Sequence, residues 1–151
     1  MTTDPRLARI VHFFETLTPA TLAGIDQVYM PQARFKDPFQ CVEGSTRIRR
    51  VYAHMFETLS APRFIVHRAL CEGPDAFLSW DLVFDSPRMP DGRWTVQGAS
   101  HLRLAADGRI AEHRDYWDPA EELYEKTPLL GALMRLIKRR LRTPGLQADR
   151  H

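Results

Sequence analysis

A few polar side chains stand where chemistry can be done with them. His113 and Asp115 are two residues apart, so on an extended strand both lie on one face, together with Trp117. An imidazole beside a carboxylate in that geometry is either a polarised pair able to move a proton or a buried pair that fixes the sheet. Asp37 directly precedes Pro38. It reads either as a general base, drawing off a carbon-bound proton or orienting a water, or as the cap of its own turn. Tyr52 offers a hydroxyl that, like His113, can serve as the acid, or that is simply satisfied inside the core. His67 and His101 fall on the opposite parity from His113 and are weaker candidates. Cys41 and Cys71 are the only cysteines, and neither has ligand-like spacing around it. With no Cys/His/carboxylate cluster and no Gly-rich phosphate loop, neither a metal nor a cofactor is expected.

These residues need elements to hold them. Residues 4–17 predict a helix, with Asp4 as N-cap, Pro5 in the first turn, and Leu7, Ile10, Val11 and Phe14 along one face. A second helix is expected from Thr18 to about Tyr29, ended by Pro31, followed by a short extended segment over 33–38. Ser45 starts a third helix that carries Ile48, Val51, Tyr52, Met55, Phe56 and Leu59 and closes at Ala61-Pro62. The period then changes to two. Runs at 63–71, 75–86, 93–105 and 109–117 are separated by Gly-Pro-Asp, Pro-Asp-Gly and Asp-Gly turns, the pattern of an antiparallel meander. Leu78, Trp80, Leu82 and Phe84 share one face of their strand; Trp94, Val96, Gly98, Ser100, Leu102 and Leu104 share one face of the next. The opposite face mixes Phe77, Val83 and Ala99 with polar neighbours and suits a symmetric dimer contact. Helices, then strands, then a last helix make the fold class α+β.

Particular strings within this order are familiar. Phe35-Lys36-Asp37-Pro38, then Gly44 opening a helix with Ile48 and Tyr52, resembles the nuclear transport factor 2-like superfamily. So does Gly98-Ala99-Ser100-His101-Leu102-Arg103-Leu104, followed by the Asp107-Gly108 turn and Ile110. The superfamily includes ketosteroid isomerase, SnoaL-like polyketide cyclases, scytalone dehydratase and limonene epoxide hydrolase. The resemblance covers residues 5–120 and implies a cone-shaped, curved antiparallel sheet covered by N-terminal helices, with a C-terminal helix in addition. Carried over, the isomerase's general base falls on Asp37 and its supporting tyrosine on Tyr52. Its two oxyanion donors fall on Phe13 and Ser100. Phenylalanine has no hydroxyl and serine is a weak donor, so steroid isomerisation of that type is not expected. The resemblance also implies a pocket walled by Phe13, Phe35, Val51, Trp80, Leu82, Phe84, Gly98, Ser100 and Trp117, with Asp37, His113, Asp115 and Tyr52 as its catalytic set.

The charge is uneven. Against a total of +2, residues 128–151 hold Arg135, Lys138, Arg139, Arg140, Arg142, Arg150 and one acid, Asp149, for a net +5, which leaves −3 for residues 1–127. We therefore place a domain over 1–127 and a basic amphipathic helix and tail over 128–151. Leu129, Leu130, Leu133, Leu136, Ile137 and Leu141 recur at helical spacing there. That stripe either docks on protein, the reading preferred here, or lies on an anionic membrane. No basic stripe with interleaved aromatics points to nucleic acid. No membrane-spanning run or leader pattern occurs, and a cytoplasmic protein is expected.

Two readings of function follow. In the first, the protein binds a small, largely apolar molecule in a conical pocket and acts on it without a cofactor, as an isomerase, dehydratase or cyclase, with Asp37 as base. In the second, the same pocket belongs to a non-catalytic ligand-binding or dimer-scaffolding module. Both expect a homodimer.

Overall fold

A computed structural model describes residues 4–124 and 128–141. They fall into two compact units, the first ending at Trp117 and the second beginning at Asp118. The first unit opens with α1 (Pro5–Glu15). Asp4 caps it, its carboxylate accepting the Arg6 backbone N–H at 2.9 Å. α1 buries Leu7, Ile10 and Phe14, the spacing that puts side chains on one helical face. A 3₁₀ helix covers Thr21–Gln27 and buries Leu22 and Ile25. The long second helix expected up to Tyr29 does not form, because Tyr29 already belongs to a strand.

Six strands follow: β1 (Tyr29–Lys36), β2 (Cys41–Glu43), β3 (Ser60–Glu72), β4 (Asp75–Asp85), β5 (Arg93–Leu104) and β6 (Ile110–Tyr116), with α2 (Ser45–Thr58) between β2 and β3. They make one curved, unclosed sheet in the order β2-β1-β6-β5-β4-β3. Four of its pairings are antiparallel, as the short turns require. The fifth, β1 on β6, is parallel; the connection between them passes through α2 and four strands. Two prolines sit inside strands at register shifts. Pro31 falls between Tyr29 and Arg34, and Pro62 between Ser60 and Arg63. Proline gives the ladder no N–H and is tolerated at such irregularities.

One sheet face is buried with the helices over it. Along β5, Trp94, Val96, Ser100, Leu102 and Leu104 are buried, as alternation predicts. Along β4 the alternation holds from Ala76 to Trp80 and then lapses. Val83, expected on the outer face, is only 4% exposed, registered between Arg63 and Thr95 of its neighbours. From α2, Ile48 and Tyr52 enter the core.

In the second unit, one π-helical turn (Ala120–Tyr124) precedes α3 (Pro128–Leu141). Asp118 caps that turn, accepting the Ala120 N–H at 2.9 Å. Leu130, Leu133, Leu136, Ile137 and Leu141 of α3 are all exposed. Arg142 and Arg150, part of the basic tail, lie outside the described residues. Among the described residues, no helix is long and apolar enough to cross a membrane.

Candidate functional site

The interior face of the sheet carries a continuous chain of polar side chains inside an aromatic shell. Alternation on β6 turns His113 and Asp115 inward, and alternation on β5 turns Ser100 inward beside them, since Ser100 and Asp115 are register partners. The Trp80 indole N–H donates to Ser100 Oγ at 2.8 Å. With its oxygen so occupied, the Ser100 hydroxyl donates to Asp115 Oδ1 at 2.6 Å. His113 Nε2 lies 2.6 Å from the same oxygen, and Tyr29 Oη lies 2.6 Å from His113 Nδ1. Tyr52 Oη is 2.9 Å from Tyr29 Oη. The sequence Tyr52–Tyr29–His113–Asp115–Ser100–Trp80 is therefore joined end to end.

Burial differs along this chain. Tyr29 is fully buried, Tyr52 is 5% exposed and the His113 side chain 4%, while the Asp115 side chain is 15% exposed. Burial pushes both phenols well above their ordinary range; for Tyr52 the neighbouring Tyr29 and the Asp115 carboxylate add to it. The His113 ring is fixed on three sides. It lies parallel to Tyr29, with 4° between the planes, and is met edge-on by Phe14 at 5.8 Å and by Phe35 at 4.9 Å. Oδ2 of Asp115 has no hydrogen-bond partner among the described residues.

This chain borders a small recess lined by Phe14, Tyr52, Phe64, Val66, Leu78, Trp80, Ser100, His113 and Asp115. The centre of a water-sized molecule has about 20 Å³ there, enough for one water. The walls are mainly aromatic and aliphatic, and the polar groups come from Tyr52, Ser100, His113 and Asp115.

Five of the side chains singled out in the sequence meet here: Tyr52, Trp80, Ser100, His113 and Asp115. Phe35 stands behind them against His113 and Tyr52, and Gly98 lies under the Trp80 ring. The rest do not line the recess. Asp37 holds its own turn, accepting from the backbone of Phe39 and Gln40 at 2.8 and 2.9 Å and from Gln40 Nε2 at 3.0 Å. Phe13 is half-buried and packs edge-on against Phe14 at 5.5 Å. Val51 borders a surface groove with Arg47, Arg50 and His54. Leu82 is half-buried, Phe84 stacks on Trp94 at 5.8 Å, and Trp117 packs against Phe39 at 5.3 Å.

Tyr29, Phe14 and Phe64 belong to the site without having been chosen for it. For Phe14 the signal was present, since it closes the Leu7–Ile10–Phe14 stripe. Phe64 and Val66 alternate on β3 as interior residues should. Tyr29 carried no strand signal of its own, being cut off from Phe35 by Pro31.

Among the described residues, no three His, Cys, Asp or Glu side chains gather as a metal site requires. A family model described as a SnoaL-like domain matches residues 10–113. No curated protein matches the sequence. Solved structures share the fold at low identity. A protein with a ketosteroid isomerase-like fold from Catenulispora acidiphila, in complex with trimethylamine, is 15% identical, with 81% of this chain and 92% of that one covered at a TM-score of 0.66. A protein that bears the name SnoaL-like polyketide cyclase, from Jannaschia sp. CCS1, is 20% identical over 78% and 91% of the chains, at 0.63. An LEH-like epoxide hydrolase from M. tuberculosis is 16% identical over 89% and 96%, at 0.64. At these identities the likeness is one of fold.

Proposed function

From a chain that belongs to the SnoaL-like domain family, we propose a protein that binds a small, largely apolar molecule in its interior recess and moves a proton on it without a cofactor. His113 and Asp115 are the acid–base pair. The observation that supports this reading is the Asp115 carboxylate. One oxygen is held by Ser100 and His113 at 2.6 Å each. The other has no hydrogen-bond partner among the described residues, and Asp115 lines a recess whose walls are mainly aromatic and aliphatic. A carboxylate so placed can accept a proton from a bound molecule and return it, the requirement of a general base. Asp37, the base expected from the sequence, takes no such part in this proposal because its carboxylate is committed to its turn.

The test uses 2-cyclohexenone, an apolar ring with one carbonyl, in D₂O. Asp115 removes H⁺ from a carbon activated by the carbonyl and gives D⁺ back, which ¹H NMR reads as loss of signal. Exchange above the buffer rate should fall by about 100-fold or more in Asp115→Asn and stay near wild type in Asp37→Asn. Exchange that is equal in wild type and Asp115→Asn sinks the acid–base reading.

The second reading, a non-catalytic binding or scaffolding module, is favoured by how little space the recess holds. A ligand larger than water enters only if side chains that line the recess move. Shifts of the recess signals on adding 2-cyclohexenone, without any exchange, are its signature.

A further inference from the structure

Two residues that line one recess are joined through the protein interior. Tyr52 and Asp115 both line it, and between them run Tyr29 and His113. The proton positions in this chain follow from its ends. Asp115 is an acceptor, so His113 Nε2 carries the proton that points at it. In the neutral imidazole Nδ1 is then an acceptor, and the Tyr29 hydroxyl, whose oxygen lies 2.6 Å away, donates to it. Tyr29 Oη, having given its own proton away, accepts from Tyr52 at 2.9 Å. Every hydrogen bond points toward Asp115.

We infer that Tyr52, Tyr29 and His113 form a proton relay that connects the recess-lining Tyr52 to the recess-lining Asp115 and makes an enol–ketone pair of an apolar molecule the substrate class. The inference rests on the acid–base reading above and adds the path. An enol O–H bonded to Tyr52 Oη passes its proton to that oxygen. At the same time the Tyr52 proton passes to Tyr29, the Tyr29 proton to Nδ1, and the Nε2 proton to Asp115. Four bonds to hydrogen break and four form. The ligand becomes an enolate and Asp115 becomes neutral, with no other change of charge. Asp115 then gives its proton to the enolate carbon, producing the ketone and restoring the carboxylate. The imidazole now holds its proton on Nδ1 and presents a bare Nε2 to that carboxylate. Water beside Asp115 returns a proton to Nε2 while Nδ1 hands one back to Tyr29, Tyr29 one to Tyr52, and Tyr52 releases one to water in the recess. This restores the starting arrangement with no net gain or loss of protons.

A relay of neutral groups suits this interior better than a free phenolate would. Burial disfavours charge on both phenols, and the concerted shift never places any there. Tyr29 has no exposed surface and does not line the recess, so it is a positioning residue acting through its two neighbours.

The first test needs no substrate. The full chain with ¹⁵N-labelled histidine is examined by long-range ¹H–¹⁵N NMR at neutral pH. His113 should be neutral with its proton on Nε2. Tyr52→Phe should move the Nδ1 signal although, among the described residues, no hydrogen bond joins Tyr52 to that ring directly, and the double variant with Tyr29→Phe should move it no further than Tyr29→Phe alone. A proton on Nδ1, or an Nδ1 signal indifferent to Tyr52→Phe, overturns the relay. The wild-type tautomer decides the matter even if a variant fails to fold. The second test is the 2-cyclohexenone exchange. Tyr29→Phe should lower its kcat by about tenfold or more with KM unchanged, and unchanged kcat overturns the relay. Absence of exchange in wild type removes the acid–base reading instead, which the tautomer measurement does not depend on.

Discussion

The Trp80 indole lies directly over Gly98, its register partner on β5. A Cβ on Gly98 would stand 2.6 Å from Cζ2 and 2.8 Å from Cζ3 of that ring, closer than carbon atoms approach. Only hydrogen at this position lets the ring reach across the strand to Ser100. Gly98→Ala should therefore tilt the indole, break its bond to Ser100 and cost about 1–3 kcal/mol of stability. Urea unfolding followed by tryptophan fluorescence measures both effects, and an unchanged midpoint would show that the ring has room to move.

Alkaline pH should find the buried phenols. Tyr29 and Tyr52 ionise well above the ordinary value of 10.0 when folded, chiefly through burial. The unfolded chain loses these protons near 10, so its own stability increases there while that of the folded state does not. Their contribution is complete below pH 10 and is lost as pH rises toward the folded values. Urea midpoints at pH 8 to 11 should fall, and fall less steeply in Tyr52→Phe. Absorbance at 295 nm should show both phenols un-ionised until the protein unfolds.

Asp37 and Asp115 should separate under the same substitution. Asp37→Asn keeps an oxygen for the Phe39 and Gln40 amides and loses the contact with Gln40 Nε2, at a cost of about 0.5–1.5 kcal/mol. Its effect on ligand chemistry should be small. Asp115→Asn removes the one charged acceptor of the interior chain and should abolish exchange. Thermal melts paired with the exchange assay check both, and a collapse of exchange in Asp37→Asn would return the base to that residue.

The outer sheet face makes its own prediction. Leu70, Phe77, His101 and Arg114 form a cross-strand row over β3, β4, β5 and β6. Phe77, 51% exposed, stacks on His101 at 4.5 Å with 7° between the rings. A row that exposes Leu70 and Phe77 beside two polar side chains fits a second copy of the chain. Light scattering at micromolar concentration should give a dimer, and Phe77→Asp a monomer; a monomeric wild type refutes the pairing.

Alternation made much of this site legible. Trp80, Ser100, His113 and Asp115 could be placed on one sheet face because successive residues point to opposite faces along β4 as far as Trp80, along β5 and over His113–Asp115 of β6. Helical spacing likewise marked Phe14 as interior, whereas the motif carried over from relatives marked its neighbour Phe13. Tyr29 was hidden because Leu22, Ile25 and Val28 follow a helical period that runs straight into it, and because Pro31 reads as a terminator. Only the register shift between Tyr29 and Arg34 lets the proline stay inside a strand. Asp37 shows the converse limit: a motif identifies an aspartate before a proline, but whether its oxygens face a ligand or its own turn depends on the path of the next three residues.

The parallel pairing of β1 with β6 also sets an order of events. Phe35 meets His113 across that pair, and the intervening chain must be made before they can meet. At synthesis rates of about 5–20 residues per second, β1 waits roughly 4–16 s for its partner. Until then Tyr29 has no imidazole to donate to, and one edge of β1 is open to other chains. The α2–β3–β4–β5 segment can form meanwhile from contacts close in sequence, and closure by β6 is the slow, nonlocal step. The hydrogen bond between Tyr29 and His113 thus spans the last seam to close, so the interior chain is complete only once the whole sheet is.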